Sequence, residues 1–140
     1  MTERADRGSF GGVLETSLYH GASETAAVER FYIGLLGLRV VSRWPGGIAL
    51  RAGDGVLLLF ERETLAERPG PIAAHGTTGP GHACLIAADP GAYESWRQRL
   101  PGAGVEITHE HDWEGGRRSL YFNDPAGNLL EIADGDLWPR

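Results

Sequence analysis

The sequence has one cysteine, one methionine and no long apolar run. The lone thiol of Cys84 has no second cysteine in the sequence with which to form a disulfide, which is typical of proteins from a reducing compartment. No apolar stretch approaches the roughly 20 residues that a membrane-spanning helix needs, and residues 1–12 lack the apolar core of a signal peptide. We therefore expect a cytoplasmic protein that makes no contact with a membrane.

Basic residues are also few. The 13 lysine and arginine residues are outnumbered by 19 acidic residues, and the formal net charge is −6. This balance provides no basic surface for a phosphate backbone, which disfavours nucleic-acid binding. A hydrophobic content of 41% with 23% charged residues is typical of a globular protein, and 140 residues suffice for one domain. Nucleic acid is therefore not an expected partner.

The pattern of the first half predicts one strand, one helix and three further strands. Residues 1–12 are polar and punctuated by glycine, which predicts a flexible leader. Alternation and turn residues predict strands at 14–20, 38–44, 48–51 and 56–61. After the first strand, apolar residues recur at helical spacing, with Ser23 as the N-cap and Gly37 as the C-terminal stop. Residues 13–62 thus form a first βαβββ module.

The second half repeats this order of elements. Residues 63–79 are rich in proline and glycine, which predicts a connecting loop. Strands are predicted at 81–87, 105–111, 117–122 and 128–133, and a helix capped by Asp89 begins at Pro90 after the first of them. Residues 80–133 form a second βαβββ module, followed by a tail at 134–140. We expect a single domain over 13–138 whose two modules face each other.

Several polar side chains of the two modules share strand faces. Because side chains alternate along a strand, Glu15 lies on the same face as Ser17 and Tyr19. The same alternation places His82 on the same face as Cys84. Helices cover one face of each sheet, so these side chains are candidates for a site on the other face.

Glu131 is unusual because it interrupts the apolar strand 128–133. A buried carboxylate there costs several kcal/mol unless a partner compensates it. One interpretation is a divalent metal held by Glu15, His82 and Glu131. The other is that the carboxylates pair with Arg117 or Arg118, or stay hydrated. The spacing alone leaves both interpretations open, since it contains no short ligand motif.

Four segments together resemble the vicinal-oxygen-chelate superfamily, the group of glyoxalases, bleomycin resistance proteins and dioxygenases. They are LETSLY at 14–19, FYIGLLGL at 31–38, GPGH at 79–82 and SLYFNDPAGNLLE at 119–131. The last segment is the most specific. The resemblance covers about residues 13–138 and implies an α+β fold, in which two βαβββ modules form a curved mixed sheet around a cavity.

The resemblance also implies a metal site. In metal-using members the first, fifth and last strands supply ligands, and these positions fall on Glu15, His82 and Glu131. The first position is more often histidine, and four-ligand glyoxalase I carries an acid where this chain has Leu59. The implied cofactor is a Mn, Fe, Ni, Zn or Mg ion with open positions for substrate oxygens. The implied protein is a homodimeric enzyme with lyase, isomerase or dioxygenase chemistry.

Further side chains are candidates for catalysis and substrate binding. Glu131 and Tyr121 are the candidates for moving a proton, although Tyr121 is equally well interpreted as a packed strand aromatic. The predicted substrate contacts are Tyr19, Ser17, Cys84, Arg117 and Ser119. The alternative function is a metal-free protein that sequesters a drug or another small molecule, as bleomycin resistance proteins do.

The other histidines show no ligand pattern. His20 has the opposite strand parity from Glu15, which predicts a structural or solvated ring. His75 lies in the connecting loop and is expected to be a surface residue; the alternative is that it caps the site. His109 and His111 alternate in a partly exposed strand and are expected to be surface residues.

Overall fold

Each half of the chain folds as a βαβββ module with a four-stranded sheet. The computed structural model describes residues 10–67 and 71–139. The first sheet contains β1 (Glu15–His20), β2 (Arg39–Trp44), β3 (Gly47–Ala52) and β4 (Gly55–Glu61), and the second contains β5 (His82–Ile86), β6 (His109–Asp112), β7 (Arg118–Asn123) and β8 (Leu129–Ala133). The strand orders are β1-β4-β3-β2 and β5-β8-β7-β6. β1 runs parallel to β4, and β5 runs parallel to β8. All other neighbouring strands are antiparallel. The matching topology confirms the predicted α+β fold of two βαβββ modules.

The predicted strand ends agree with the structure to within one residue, except at the start of β6. Residues 105–108 were predicted to open β6, but they form an irregular connection before it. The predicted leader spans residues 1–12, of which 1–9 lie outside the described residues. Residues 10–12 are exposed and have no regular secondary structure.

The helix of the first module has three parts. A 3-10 turn (Ala22–Glu24) leads into α1 (Thr25–Glu29), and a π-helical stretch (Arg30–Leu35) follows. The prediction that Ser23 caps this helix is wrong, because Gly21 takes that place and its N–H donates to the Glu24 carboxylate at 2.8 Å. Gly37 ends the helix as predicted, with a φ of 74° that only glycine adopts without strain.

The connection between the modules contains a helix that was predicted to be loop. This helix, α2 (Arg62–Ala66), follows β4 directly. Its Leu65 is buried, and its Glu63 accepts a hydrogen bond from the Ala22 backbone at the start of the first-module helix. Five residues are too few to show helical periodicity, so the sequence pattern did not reveal it.

The helix of the second module, α3 (Pro90–Gly102), begins as predicted. The Asp89 carboxylate accepts a hydrogen bond from the Ala92 N–H at 2.7 Å, and Pro90 occupies the first turn. We expect Asp89→Ala to lower the free energy of unfolding by about 1 kcal/mol, because one N–H at the helix start loses its acceptor. Urea unfolding of both proteins measures this, with Asp89→Asn as a control that retains a capping oxygen. A destabilisation by Asp89→Asn as large as that by Asp89→Ala would contradict a capping role.

The core lies between the helices and one face of each sheet. In β4 the buried side chains of Leu57 and Leu59 belong to this core, and in β8 those of Leu130 and Ile132 do. They pack with helix residues such as Tyr32 and Tyr93 and with the other core residues, which are Leu18, Val28, Phe31, Leu36, Ile48, Leu50, Leu100, Leu120 and Phe122. The opposite face of each sheet is left for other contacts.

Polar contacts join the two modules. The Tyr32 hydroxyl donates to Asp124 Oδ2 at 2.7 Å. The Asn128 side chain donates to the Tyr19 carbonyl at 3.1 Å, and its own oxygen accepts from the Gly81 N–H at 2.8 Å. A Cβ at Gly81 would lie 2.9 Å from a leucine methyl of β1, so glycine permits this close approach. The motif around the last hairpin therefore holds β8 and β5 against β1.

Among residues 10–67 and 71–139, no helix is both long and apolar enough to cross a lipid bilayer.

Candidate functional site

The strand register places the predicted site residues on the faces away from the helices. Cys84 lies beside Glu131 in the parallel pair, and Tyr121 lies beside Glu131 in the antiparallel pair. Because Leu130 and Ile132 point into the core, Glu131 points to the other side of the sheet. That face, which also carries His82, is called the open face of the second sheet below.

The register corrects one alignment of the two halves. Matching the turn glycines would place Leu59 opposite Glu131, but Leu59 points into the core. Cys84 pairs with Glu131 in the second sheet, whereas Ser17 pairs with Leu58 in the first. Leu58 is therefore the residue of the first module that corresponds to Glu131 in the second. Like Leu59, it is not acidic.

Glu131 and His82 lie in direct contact. Glu131 is 6% exposed, and its Oε1 lies 3.3 Å from His82 Nε2. Its second oxygen, Oε2, is buried and has no hydrogen-bond partner among the described residues. Among the described residues, neither Arg117 nor Arg118 forms an ion pair with Glu131. Arg118 pairs instead with a glutamate of α3 and with Asp134, which follows β8. The interpretation that an arginine compensates Glu131 is thus not supported.

The orientation of His82 makes this contact informative. Its Nδ1 lies 2.9 Å from the Leu129 carbonyl, which can only accept, so Nδ1 carries a proton. In a neutral ring Nε2 is then a bare lone pair that faces a carboxylate oxygen. Two acceptors at this distance repel each other unless a cation lies between them. The cation is either a proton, carried by Nε2 or by the carboxyl oxygen, or a metal ion.

Two further polar side chains border the carboxylate. Burial, and to a smaller extent Glu131, raise the pKa of the Tyr121 hydroxyl, whereas a hydrogen bond with Ser119 lowers it. The hydroxyl is therefore protonated near neutral pH. Burial of the Cys84 thiol raises its pKa to about 12, and the charge of Glu131 contributes to that rise. Cys84 thus presents a neutral thiol and no thiolate.

A cleft of about 920 Å³ opens above this pair of residues. Arg117 and Trp113 line one side, and Trp138 from the C-terminal tail lines another. The Ser119 side chain is fully buried, and its hydroxyl accepts from Trp113 Nε1 at 2.9 Å. Ser119 therefore orients Trp113, although it was predicted to touch substrate.

The other predicted residues lie on the first sheet. Glu15 is exposed, and Ser17 and Tyr19 are half-buried on the same face of β1. Tyr19 stacks on Phe60, with ring centroids 5.9 Å apart, and its hydroxyl bonds to His75 Nδ1. His75 thus covers the first sheet and does not reach the second.

Glu15 does not join His82 and Glu131 within one chain. Over residues 10–67 and 71–139, no three His, Cys, Asp or Glu side chains are grouped closely enough to hold a metal ion. The three residues form two separate parts, a pair on the second sheet and a single carboxylate on the first. Their joint role as ligands stays a prediction.

The remaining histidines divide into a buried residue and an exposed pair. His20 is 4% exposed, and its Nδ1 lies 2.9 Å from the Gly21 carbonyl, so its role is structural. His109 and His111 are exposed on the open face of the second sheet, where they pair with Tyr121 and Ser119. Only their alternation in the sequence could have indicated that they share a face.

Comparisons with known proteins agree with this architecture. The chain is 35% identical to the lactoylglutathione lyase from Agrobacterium tumefaciens, with a TM-score of 0.84 over 93% of this chain and 98% of that one. It is 26% identical to a virulence protein from Salmonella typhimurium, with a TM-score of 0.69 over 89% and 97% of the two chains. A glyoxalase/bleomycin resistance protein/dioxygenase from Nocardioides, 24% identical, shares the fold with a TM-score of 0.68 over 94% and 90%. A sequence model of one family matches residues 21–132. The chain therefore belongs to the glyoxalase/bleomycin resistance protein/dioxygenase superfamily.

Proposed function

We propose that this chain is a metal-dependent enzyme of the glyoxalase/dioxygenase type that acts on a small molecule. Glu15, His82 and Glu131 would hold a divalent ion, and the ion would chelate substrate oxygens. One observation carries the proposal: a buried carboxylate faces the Nε2 of His82 at 3.3 Å on the wall of an open cleft. A cation at that place satisfies both groups.

The donor set of this pair fits a divalent ion. Glu131 Oε2 is buried without a hydrogen-bond partner in the described chain, so it has a lone pair to offer. The bond from His82 Nδ1–H to a backbone carbonyl is the outer support that metal-bound histidines typically have. One imidazole with carboxylates suits Mn, Fe, Ni, Zn or Mg.

The unpaired thiol of Cys84 supports a cytoplasmic location.

We further infer that the site is completed in a homodimer. Glu15 is exposed on the first sheet, apart from His82 and Glu131. Placing the first module of one copy over the second module of another would bring Glu15 to the pair. Three protein ligands then leave coordination positions open for substrate, as in catalytic sites.

The bound ion would act as a Lewis acid toward the substrate oxygens. Tyr121 keeps its proton near neutral pH because burial raises its pKa, so its hydroxyl is available to donate to a developing oxyanion. Arg117 lines the same cleft and supplies a permanent positive charge for an anionic substrate. Glu131, when it is not engaged by the ion, is the candidate to accept a proton.

Metal analysis of untagged protein tests this proposal. We expect the wild-type protein to bind Mn²⁺, an ion that favours carboxylate ligands, at the His82–Glu131 pair. Glu131→Gln should weaken that binding by about 100-fold or more, because a ligand matters at least as much as its outer support. Glu114→Gln is the matched control, since Glu114 lines the same cleft without touching the pair. Inductively coupled plasma mass spectrometry and calorimetric titration give stoichiometry and affinity.

Unchanged metal affinity in Glu131→Gln would refute the ligand assignment. Glu15→Gln should lower the affinity in the dimer and leave a diluted monomer unaffected, which tests the composite site.

The alternative function, metal-free sequestration of a drug, is supported by the exposed Trp138 on the rim of the cleft. Ligand binding that survives removal of all metal by a chelator would favour that function.

A further inference from the structure

Strand β6 presents two imidazoles side by side on the open face of the second sheet. His109 and His111 are two residues apart, so both point to the same side of the strand. The Nε2 atom of His109 lies 3.3 Å from the Nδ1 atom of His111. Glu110, between them, points the other way and bonds to Arg97 at 2.7 Å.

Neighbouring rings hold the two imidazoles in place. Trp113 packs on His111, with ring centroids 4.4 Å apart, and Tyr121 lies 5.9 Å from His109. Trp113 is itself fixed by its hydrogen bond to Ser119. The pair is thus exposed to solvent and also oriented, which lowers the conformational entropy lost when it binds an ion.

The distance between the two nitrogens fits a tetrahedral ion. Imidazole nitrogens bind Zn²⁺ at about 2.0–2.1 Å, and two such ligands at the tetrahedral angle lie about 3.3–3.4 Å apart. The observed separation of 3.3 Å has this value. We propose that His109 and His111 form a second metal site, which takes Zn²⁺. Cu²⁺ and Ni²⁺ also bind imidazole but favour square-planar geometry, so they would bind there with a shorter separation of the two nitrogens.

This site is separate from the His82–Glu131 pair. Tyr121 stands between them, with its ring 6.4 Å from that of His82 and 5.9 Å from that of His109. Two protein ligands leave further positions for water or an external ligand, so the site is open. The inference does not depend on the proposed function.

The protons of the pair are compatible with this binding. Without an ion, one nitrogen of the pair donates and the other accepts, so the two rings share a single proton. When the ion binds, the donor ring loses this proton from its inner nitrogen and takes one up from water on its outer nitrogen. Each ring then carries its N–H on the outer nitrogen, Nδ1 of His109 and Nε2 of His111, and both rings stay neutral.

Zinc titration of a double variant tests the inference. The parent is untagged, full-length His82→Ala/Glu131→Gln, which lacks both groups of the other pair. We expect calorimetry with Zn²⁺ to give one bound ion per chain. Adding His109→Ala or His111→Ala should abolish binding, because one exposed imidazole does not chelate. Adding His75→Ala should leave binding unchanged, since that ring lies over the first sheet.

Cu²⁺ locates the ion independently. Bound Cu²⁺ should quench the fluorescence of Trp113, and Trp113→Phe should remove this quenching without removing the bound copper. The inference is overturned if the parent binds no Zn²⁺, or if binding persists after His111→Ala. Loss of Mn²⁺ binding in Glu131→Gln, with one Zn²⁺ still bound at His109 and His111, concerns the proposed function and leaves this site untouched.

Discussion

Replacing Asp124 by alanine is expected to lower the free energy of unfolding by at least about 3 kcal/mol, because each buried donor left without an acceptor costs about 1–3 kcal/mol. Asp124 is 5% exposed and lies in the turn between β7 and β8. Its Oδ1 accepts from the backbone N–H groups of Ala126 and Asn128 at 2.9 and 2.8 Å. Its Oδ2 accepts from the Tyr32 hydroxyl and the Asn128 side chain at 2.7 and 2.9 Å.

This carboxylate has a structural purpose that explains the motif around it. Burial, and then the charge of Asp124, raise the pKa of Tyr32 well above its usual range, so the hydroxyl stays a donor. Gly127 has a φ of 90°, which lets the turn close over Asp124. The segment NDPAGN therefore joins the last hairpin to the helix of the first module and identifies the fold without taking part in the chemistry.

Thermal and urea unfolding measure the effect of Asp124→Ala. Asp54→Ala is the matched control, because Asp54 occupies the corresponding turn of the first module and is exposed. Tyr32→Phe removes one of the four hydrogen bonds and should cost about 1–2 kcal/mol. A destabilisation by Asp124→Ala no larger than that by Asp54→Ala would show that the network does not hold the modules together.

The sequence predicted the fold because its signals are local. Each of these signals depends on residues a few positions apart. Examples are the alternation in 118–123 and 129–133, the cap at Asp89 and the turn at Gly127. The same kind of alternation predicted that His82 and Cys84 share a face of β5, and the exposure pattern of that strand agrees. Matching the turn glycines of the two modules aligns Leu59 with Glu131, and this alignment is wrong because the two hairpin turns differ in length. Residues 53–54 lie between the paired ends of β3 and β4, whereas 124–128 lie between those of β7 and β8.

The site could be predicted only in part, because its distances depend on packing between elements far apart in sequence. Alternation gives the face of Glu15 but not its distance from His82, and the structure keeps the two apart within one chain. The contact of Trp113 with His111 and its bond to buried Ser119 also follow from the β6–β7 pairing. No local pattern carries that information, so His109 and His111 were predicted to be ordinary surface residues.

Alkylation of Cys84 by iodoacetamide is expected to be about 30- to 60-fold slower at pH 8 in the folded protein than in the unfolded protein, because only the thiolate reacts and its lower population outweighs its higher nucleophilicity. Burial of the thiol and, to a smaller extent, the neighbouring Glu131 carboxylate together raise its pKa to about 12. A raised thiol pKa favours the neutral form, so the thiolate fraction falls about tenfold for each unit. The measurement uses chelator-treated protein, since a cation on Glu131 would itself favour the thiolate.

The pH profile separates this cause from simple steric protection. A pKa of about 12 predicts that the rate rises tenfold per pH unit without levelling through pH 10, as far as the protein stays folded. Steric protection of an ordinary thiol predicts a profile that levels near pH 9. Glu131→Gln should raise the rate only partly, because burial is the larger cause, and Glu114→Gln should not change it. Folded protein that reacts as fast as unfolded protein would show that the thiol keeps its ordinary pKa in the fold, which would contradict this prediction.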